Sequence, residues 1–190
     1  MKSFSIAAAL LMSAGAAIAA PERYTLDASH SQIVFSYEHL GFSTTYGMFS
    51  GFEGEIMFDQ GDPTNSSVTV SMPARSMLTG WEGRFEHFMG DDFFGADDAE
   101  LITFASTSID VTGDNTAKIT GDLTVNEVTK EVVLDAKMNN AGQNPMSGKA
   151  WAGFDATTTI LRSDFNLGAF APAVSDEIEV LISIEAGKAE

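Results

Sequence analysis

Ile119-Thr120-Gly121-Asp122-Leu123-Thr124-Val125 sets Ile119, Gly121, Leu123 and Val125 on one face and Thr120, Asp122 and Thr124 on the other. Successive side chains of a strand point to opposite faces, so a period of two marks a β-strand with one side in an apolar interior. The same period recurs in both directions. Upstream, Ile33, Phe35, Tyr37 and His39 alternate with Val34, Ser36, Glu38 and Leu40, and Val68, Val70 and Met72 alternate with Ser67, Thr69 and Ser71. Downstream, Val132, Leu134, Ala136 and Met138 continue it, and Ile178, Val180, Ile182 and Ile184 alternate with Glu177, Glu179, Leu181 and Ser183. Turn signals at hairpin spacing separate the runs: Asp59-Gln60-Gly61-Asp62-Pro63, Gly113-Asp114-Asn115 and Asn139-Asn140-Ala141-Gly142. The chain is therefore expected to be all-β. It shows no internal repeat of propeller or solenoid length, which leaves a barrel or a sandwich.

One segment breaks the period. Trp81, Phe85, Phe88 and Met89 fall at helical spacing with Glu82, Arg84 and Glu86 between them, which predicts one short amphipathic helix near residues 81–90, placed to cap a barrel end. A stretch from Glu127 to Lys130 reads equally well as a helical turn or a hairpin connection. About eight or nine strands fit the length, and eight close a barrel just wide enough for packed side chains or one slender ligand. Fourteen phenylalanines and nine methionines either fill that core, the commoner use, or line exchangeable apolar contents.

The first residues read differently. Met1-Lys2, an apolar run through Leu11 and Met12, and Ala17-Ile18-Ala19 fit a secretory signal peptide at 1–19, cleaved to leave a domain at 20–190. Ser13 and Gly15 interrupt the run, which is too short for a transmembrane span of roughly 20 apolar residues. The product is expected in the periplasm. With no cysteine there are no disulfides, thiolate metal sites or thiol chemistry. The net charge is −17, and loss of Lys2 with the signal takes it to −18. That balance excludes nucleic acid as a partner and disfavours stable association with an anionic membrane.

Several short motifs together resemble one family. Tyr24-Thr25-Leu26-Asp27-Ala28-Ser29-His30-Ser31 is followed by His39-Leu40-Gly41, Gly47-Met48-Phe49 and Phe52-Glu53-Gly54. Later come Arg84-Phe85-Glu86-His87, Asp92-Phe93-Phe94, Ile102-Thr103-Phe104, Gly121-Asp122-Leu123-Thr124-Val125, Ala152-Gly153-Phe154 and Asp164-Phe165. In order and spacing these resemble YceI-family proteins across residues 23–186. The resemblance implies a single eight-stranded antiparallel barrel of extended lipocalin-like form, in the periplasm, binding long isoprenoid chains such as quinone tails and polyprenyl lipids, or fatty-acid derivatives. It implies no enzymatic activity. Where the family usually carries Arg-Asp before the helical His and Arg two residues after it, this chain has Arg84-Phe85 and His87-Phe88-Met89, so two charged positions have become apolar, with a greasier mouth as one reading. Glu100-Leu101 stands where many members have Phe-Pro.

A polyisoprenoid needs a narrow, dry tunnel. On the inward phase its wall is expected from Phe35, Tyr37, Phe49, Phe58, Val70, Phe104, Ile119, Leu123, Leu134, Phe154, Val180 and Ile182. His39, Arg84 and His87 are expected at the headgroup or mouth. The bound polyisoprenoid or quinone is the ligand, and no other cofactor is required. Catalysis is the competing class, with His39 beside Glu38 or His87 with Asp91 and Asp92 as acid–base pairs, but no nucleophile elbow completes either. The acidic cluster Asp91, Asp92, Asp97, Asp98 and Glu100 lacks the spacing of a calcium loop, so no metal is expected. An envelope adaptor with a solid core is the alternative to a carrier. A homodimer, and a membrane redox or lipid-synthesis partner, are left open.

Overall fold

The computed structural model describes residues 20–97 and 100–190; the expected signal peptide, and Asp98 of the acidic cluster, lie outside the described residues. The alternating runs form ten strands: β1 (Glu22–Leu26), β2 (Gln32–His39), β3 (Ser43–Phe49), β4 (Glu53–Phe58), β5 (Ser67–Pro73), β6 (Leu101–Gly113), β7 (Thr116–Val125), β8 (Val128–Gln143), β9 (Ala150–Leu161) and β10 (Glu177–Lys188). These ten make eight staves. β1 and β2 both lie against β10, residues 186–188 facing β1 and 179–183 facing β2. β3 and β4 continue one another in the same way against β2 and β1. Each stave pairs antiparallel with its neighbour in the chain, and β10 returns to β1 and β2, so the sheet closes into the expected eight-stranded barrel.

Two adjacent staves bend at the same level. Between β1 and β2 a single turn of 3-10 helix, Ala28–His30, is capped by the Asp27 carboxylate, which accepts from the Ser29 backbone N–H at 2.9 Å. Between β3 and β4 the chain turns at Gly51, whose φ of +70° suits a residue without a Cβ. The bends let both staves curve over the interior, and the buried core follows them. Tyr24, Leu26, Ile56, Phe58 and Val68 pack at one end. Phe49, Phe52, Met72, Met77, Met89, Ile102 and Phe165 pack at the other.

The predicted helix is α1 (Glu82–Met89), inserted between β5 and β6 at the second of these ends. Met89 is buried and Phe85 and Phe88 pack against the same core, so the apolar stripe faces the barrel. The chain from Glu127 is a hairpin rather than a helical turn: Asn126 and Glu127, both at positive φ (49° and 60°), join the Val125–Val128 pair, as a tight primed hairpin requires.

One expected turn is displaced. Residues 139–142 are strand, with Asn140, Ala141 and Gly142 paired to Gly153, Ala152 and Trp151. The extra residue is absorbed as a bulge between Met138 and Asn140, so the asparagines mark a bulge, not a reversal. The reversal comes after Gln143, where Asn144 Oδ1 accepts the backbone N–H groups of Met146 (2.9 Å) and Ser147 (3.1 Å).

Candidate ligand cavity

The long staves leave their inward faces incompletely covered. No side chain of β8 is buried, and on β10 only Ala186 is, although both strands alternate strictly between half-buried and exposed positions over much of their length. Their inward residues face a cavity of about 1140 Å³ that runs the length of the barrel. All twelve expected wall residues border it: Phe35, Tyr37, Phe49, Phe58, Val70, Phe104, Ile119, Leu123, Leu134, Phe154, Val180 and Ile182. They come from β2–β10, because a period-two strand in a closed barrel delivers every second side chain inward.

Glycines shape this wall. A Cβ on Gly47 would stand 2.2 Å from Phe35 Cζ, and one on Gly121 would stand 2.5 Å from Phe104 Cζ. Both rings therefore lie over glycine instead of projecting across the interior, which keeps the lumen open. Ile109 and Val111 also reach the cavity, outside the sequence expectation. The register shift between Ser106 and Ser108 on β6 changes which alternate residues point inward, and no periodicity count can anticipate that.

At the α1 end the cavity is bordered by His39, Arg84 and His87, together with Leu40, Trp81, Phe88, Phe93 and Phe170. The rings form a cluster: His87 to Phe93 at 5.1 Å, Phe88 to Phe93 at 5.3 Å and Tyr37 to Phe88 at 6.1 Å. Arg84 donates to the Thr79 carbonyl at 2.9 Å. The His87 ring lies 3.5 Å from an Asp92 carboxylate oxygen, so the structure brings together one of the acid–base pairs considered from sequence, at the surface. The opposite end is bordered by polar side chains, including Gln60, Asp114, Asn115 and Thr116.

Arg162 is the residue the sequence did not single out. It is 7% exposed, and its guanidinium donates to the carbonyls of Ser175 (2.8 Å), Ala169 (2.7 Å), Val174 (2.9 Å) and Leu167. One side chain thus ties down residues 166–176, which bridge β9 and β10 at the α1 end. Burial pulls its pKa down, opposed by Asp176 and Tyr37.

Among the described residues, Asp27, His30 and Glu185 bring ligand-type atoms within 4.8 Å of one another. Protein groups already engage them: Asp27 accepts from Ser29 and meets His30 Nδ1 at 2.8 Å, and Glu185 accepts from Trp151 Nε1 at 2.7 Å.

A family model described as YceI-like domain matches residues 24–186. The chain belongs to the YceI family. Protein YceI of Escherichia coli O17:K52:H18 is 38% identical over 178 residues, covering 94% of this chain and 92% of that one. A Campylobacter jejuni YCEI protein of known structure is similar at a TM-score of 0.73 and 30% identity, over 80% of this chain and 90% of the other. A polyisoprenoid binding domain from Saccharophagus degradans, implicated in plant cell wall breakdown, matches at a TM-score of 0.67 and 14% identity over 87% and 98%, which shows the shared fold alone. Against the YceI pattern, the two helix positions that became apolar do not make the mouth greasier. Met89 is 6% exposed within the core and Phe85 packs beside it under the Arg75 guanidinium, 5.3 Å from the ring centroid, so both seat the helix on the barrel.

Proposed function

We propose that this protein is an exported periplasmic lipid carrier that sequesters one long polyisoprenoid chain, an isoprenoid quinone tail or polyprenyl lipid, or a fatty-acid derivative, by binding rather than catalysis. The observation that carries the reading is the continuous apolar cavity of about 1140 Å³ lined from nearly every stave. An adaptor with a solid core would bury its inward residues, whereas here those of β8 and β10 remain half-exposed to the lumen. Each CH₂ moved from water into such a lumen contributes roughly 0.8 kcal/mol, so a long chain gains affinity along its whole length without a specific polar contact. The name of the Saccharophagus degradans domain supports a polyisoprenoid as the class. Export rests on the sequence of residues 1–19.

In this reading the twelve wall residues contact the chain, and His39, Arg84 and His87 meet its polar head at the α1 end. Native mass spectrometry of protein purified from its own periplasm, followed by organic extraction, tests it. A stoichiometric prenyl or acyl species is expected. A protein that carries none, and takes up neither added ubiquinone nor polyprenyl phosphate, is the result that overturns the carrier.

A further inference from the structure

The barrel is laddered all the way round over only part of its height. β4 pairs with β5 from Glu53↔Ser71 to Met57↔Ser67, but β5 ends at Pro73, and β3, which continues the β4 stave towards the α1 end, has no strand on its outer side. A single bridge holds that seam among the described residues: Met48 and Leu78 exchange both backbone bonds, at 3.0 and 2.7 Å. Because those groups of Met48 point outward, the strand's geometry sends the backbone groups of Tyr46 and Thr44 the same way, beyond the end of the pairing. The cavity reaches this seam. Ser43 and Thr45 border it from β3, and Trp81 and Arg84 border it from the facing segment.

Large apolar side chains flank the seam: Phe42 is 89% exposed, Trp81 66%, Tyr46 61% and Leu78 53%. Beside them Leu40 is held at a φ of +56°, a conformation costly for a bulky residue, and is half-exposed. At the opposite end of the barrel the exposed large apolar residues are only Val111 and Met146 among those described. Such a cluster marks an interaction surface, and a Trp–Tyr pair among aliphatic residues suits the boundary between lipid headgroups and acyl chains. Electrostatics narrow the occupant. The segment from 74 to 97 carries Glu82, Glu86, Asp91, Asp92 and Asp97 against Arg75 and Arg84, of which one lies over Phe85 and the other donates to Thr79. An anionic surface would be repelled, whereas an electrically neutral bilayer would not.

We propose that the β3–Leu78 seam is a lateral portal that docks on a neutral lipid bilayer, so that a chain passes from the membrane into the barrel without crossing water. The proposal rests on the carrier reading, and the test separates the two. With the full mature protein, Phe42→Ser combined with Tyr46→Ser is expected to abolish cosedimentation with phosphatidylcholine vesicles. The pair is also expected to slow uptake of the polyprenol solanesol from those vesicles at least ~10-fold, a rise of roughly 1.4 kcal/mol in the barrier, with binding of detergent-delivered solanesol unchanged. Neither residue borders the cavity. Trp81 gives a second readout in Trp151→Phe protein, where it is the one remaining tryptophan: its emission should shift to the blue with phosphatidylcholine and not with phosphatidylglycerol vesicles.

Uptake and Trp81 emission that ignore the vesicles overturn the portal, as does a preference for phosphatidylglycerol. Equal loss of detergent-delivered solanesol in the double variant also overturns it, since those residues would then serve the cavity. Concentration-dependent self-association of the wild type without vesicle response would assign the β3 edge to a second copy. Wild type that docks on phosphatidylcholine but binds solanesol from neither source would overturn the carrier while the docking surface stands.

Discussion

The two sides of this barrel use the same strand pattern for opposite ends. On the side built from the two bent staves of β1–β4 and the short β5, Tyr24, Leu26, Phe49, Ile56, Phe58, Val68 and Met72 are all buried. On the side built from β8, β9 and β10, of 16, 12 and 12 residues, the buried side chains are all alanines: Ala152, Ala156 and Ala186. Fully burying a large aliphatic residue contributes about 1.5–3 kcal/mol, so the short side anchors the fold while the long side keeps much of that gain in reserve for whatever enters. Stability and capacity are therefore separable, and substitutions on the two sides should report on different quantities.

The largest effect is expected where the long side is closed. Residues 166–176 are held over the α1 end by Arg162 and its four carbonyl partners. Arg162→Ala leaves those carbonyls without a donor in a buried setting, and should cost about 3–5 kcal/mol in urea unfolding. Arg162→Lys, with a compact ammonium in place of the fork, should recover only part. A cost below about 1 kcal/mol for the alanine variant would mean that packing, not the guanidinium, closes this side.

A finer contrast comes from two glycines. A Cβ on Gly121 meets the Phe104 ring at 2.5 Å and also the Ala105 carbonyl oxygen at 2.6 Å, so the sheet itself must shift. Gly121→Ala should destabilise by about 1–3 kcal/mol, read by thermal or urea unfolding. At Gly47 the close contacts are all to the Phe35 ring, which can swing into the lumen. Gly47→Ala should therefore change stability by less than about 1 kcal/mol. It should displace about two CH₂ groups of ligand, worth about tenfold in affinity for a long prenol. Equal stability losses at both sites would show that the lumen gives no room for the ring.

This division also explains what could be read beforehand. Strands β2, β5, β7, β8 and β10 were legible because one face of each is apolar at strict period two, and that phase places eight of the twelve wall residues on the cavity; Phe49, Phe58, Phe104 and Phe154 border it from β3, β4, β6 and β9. Ile109 and Val111 were hidden by a bulge, which moves the inward phase without a marker residue. Asn139 and Asn140 imitated a turn because the residues that suit a reversal also suit a bulge. Arg162 carries no local signal at all, since its partners lie 5 to 13 residues away and are backbone atoms. Whether the inward residues fill the barrel or line a lumen depends on strand length and glycine placement across neighbours, and composition counts neither.

The smallest effect belongs to the short side, at the bend that lets it curve. Asp27 is held below the usual carboxylate range first by its hydrogen bond from the Ser29 hydroxyl and then by His30, and His30 is raised by its hydrogen bond and charge interaction with Asp27. A depressed carboxyl stabilises the fold above its unfolded value, 3.8, and that stability is lost as pH falls through the folded value. A raised imidazole acts oppositely: its contribution is full below 6.5 and fades as pH rises through the folded value. The two overlap between those limits, so the bend should be firmest in mildly acid solution. His30→Gln should lower the urea midpoint at about pH 5.5 and change it less at about pH 9, where the imidazole is neutral in either state. Loss of the same size at both values would assign the role of His30 to its neutral hydrogen bond. Affinity for a long prenol should stay constant through the series, because neither Asp27 nor His30 borders the cavity. A ligand affinity that followed the titration would show instead that curvature on the short side sets the width available on the long one.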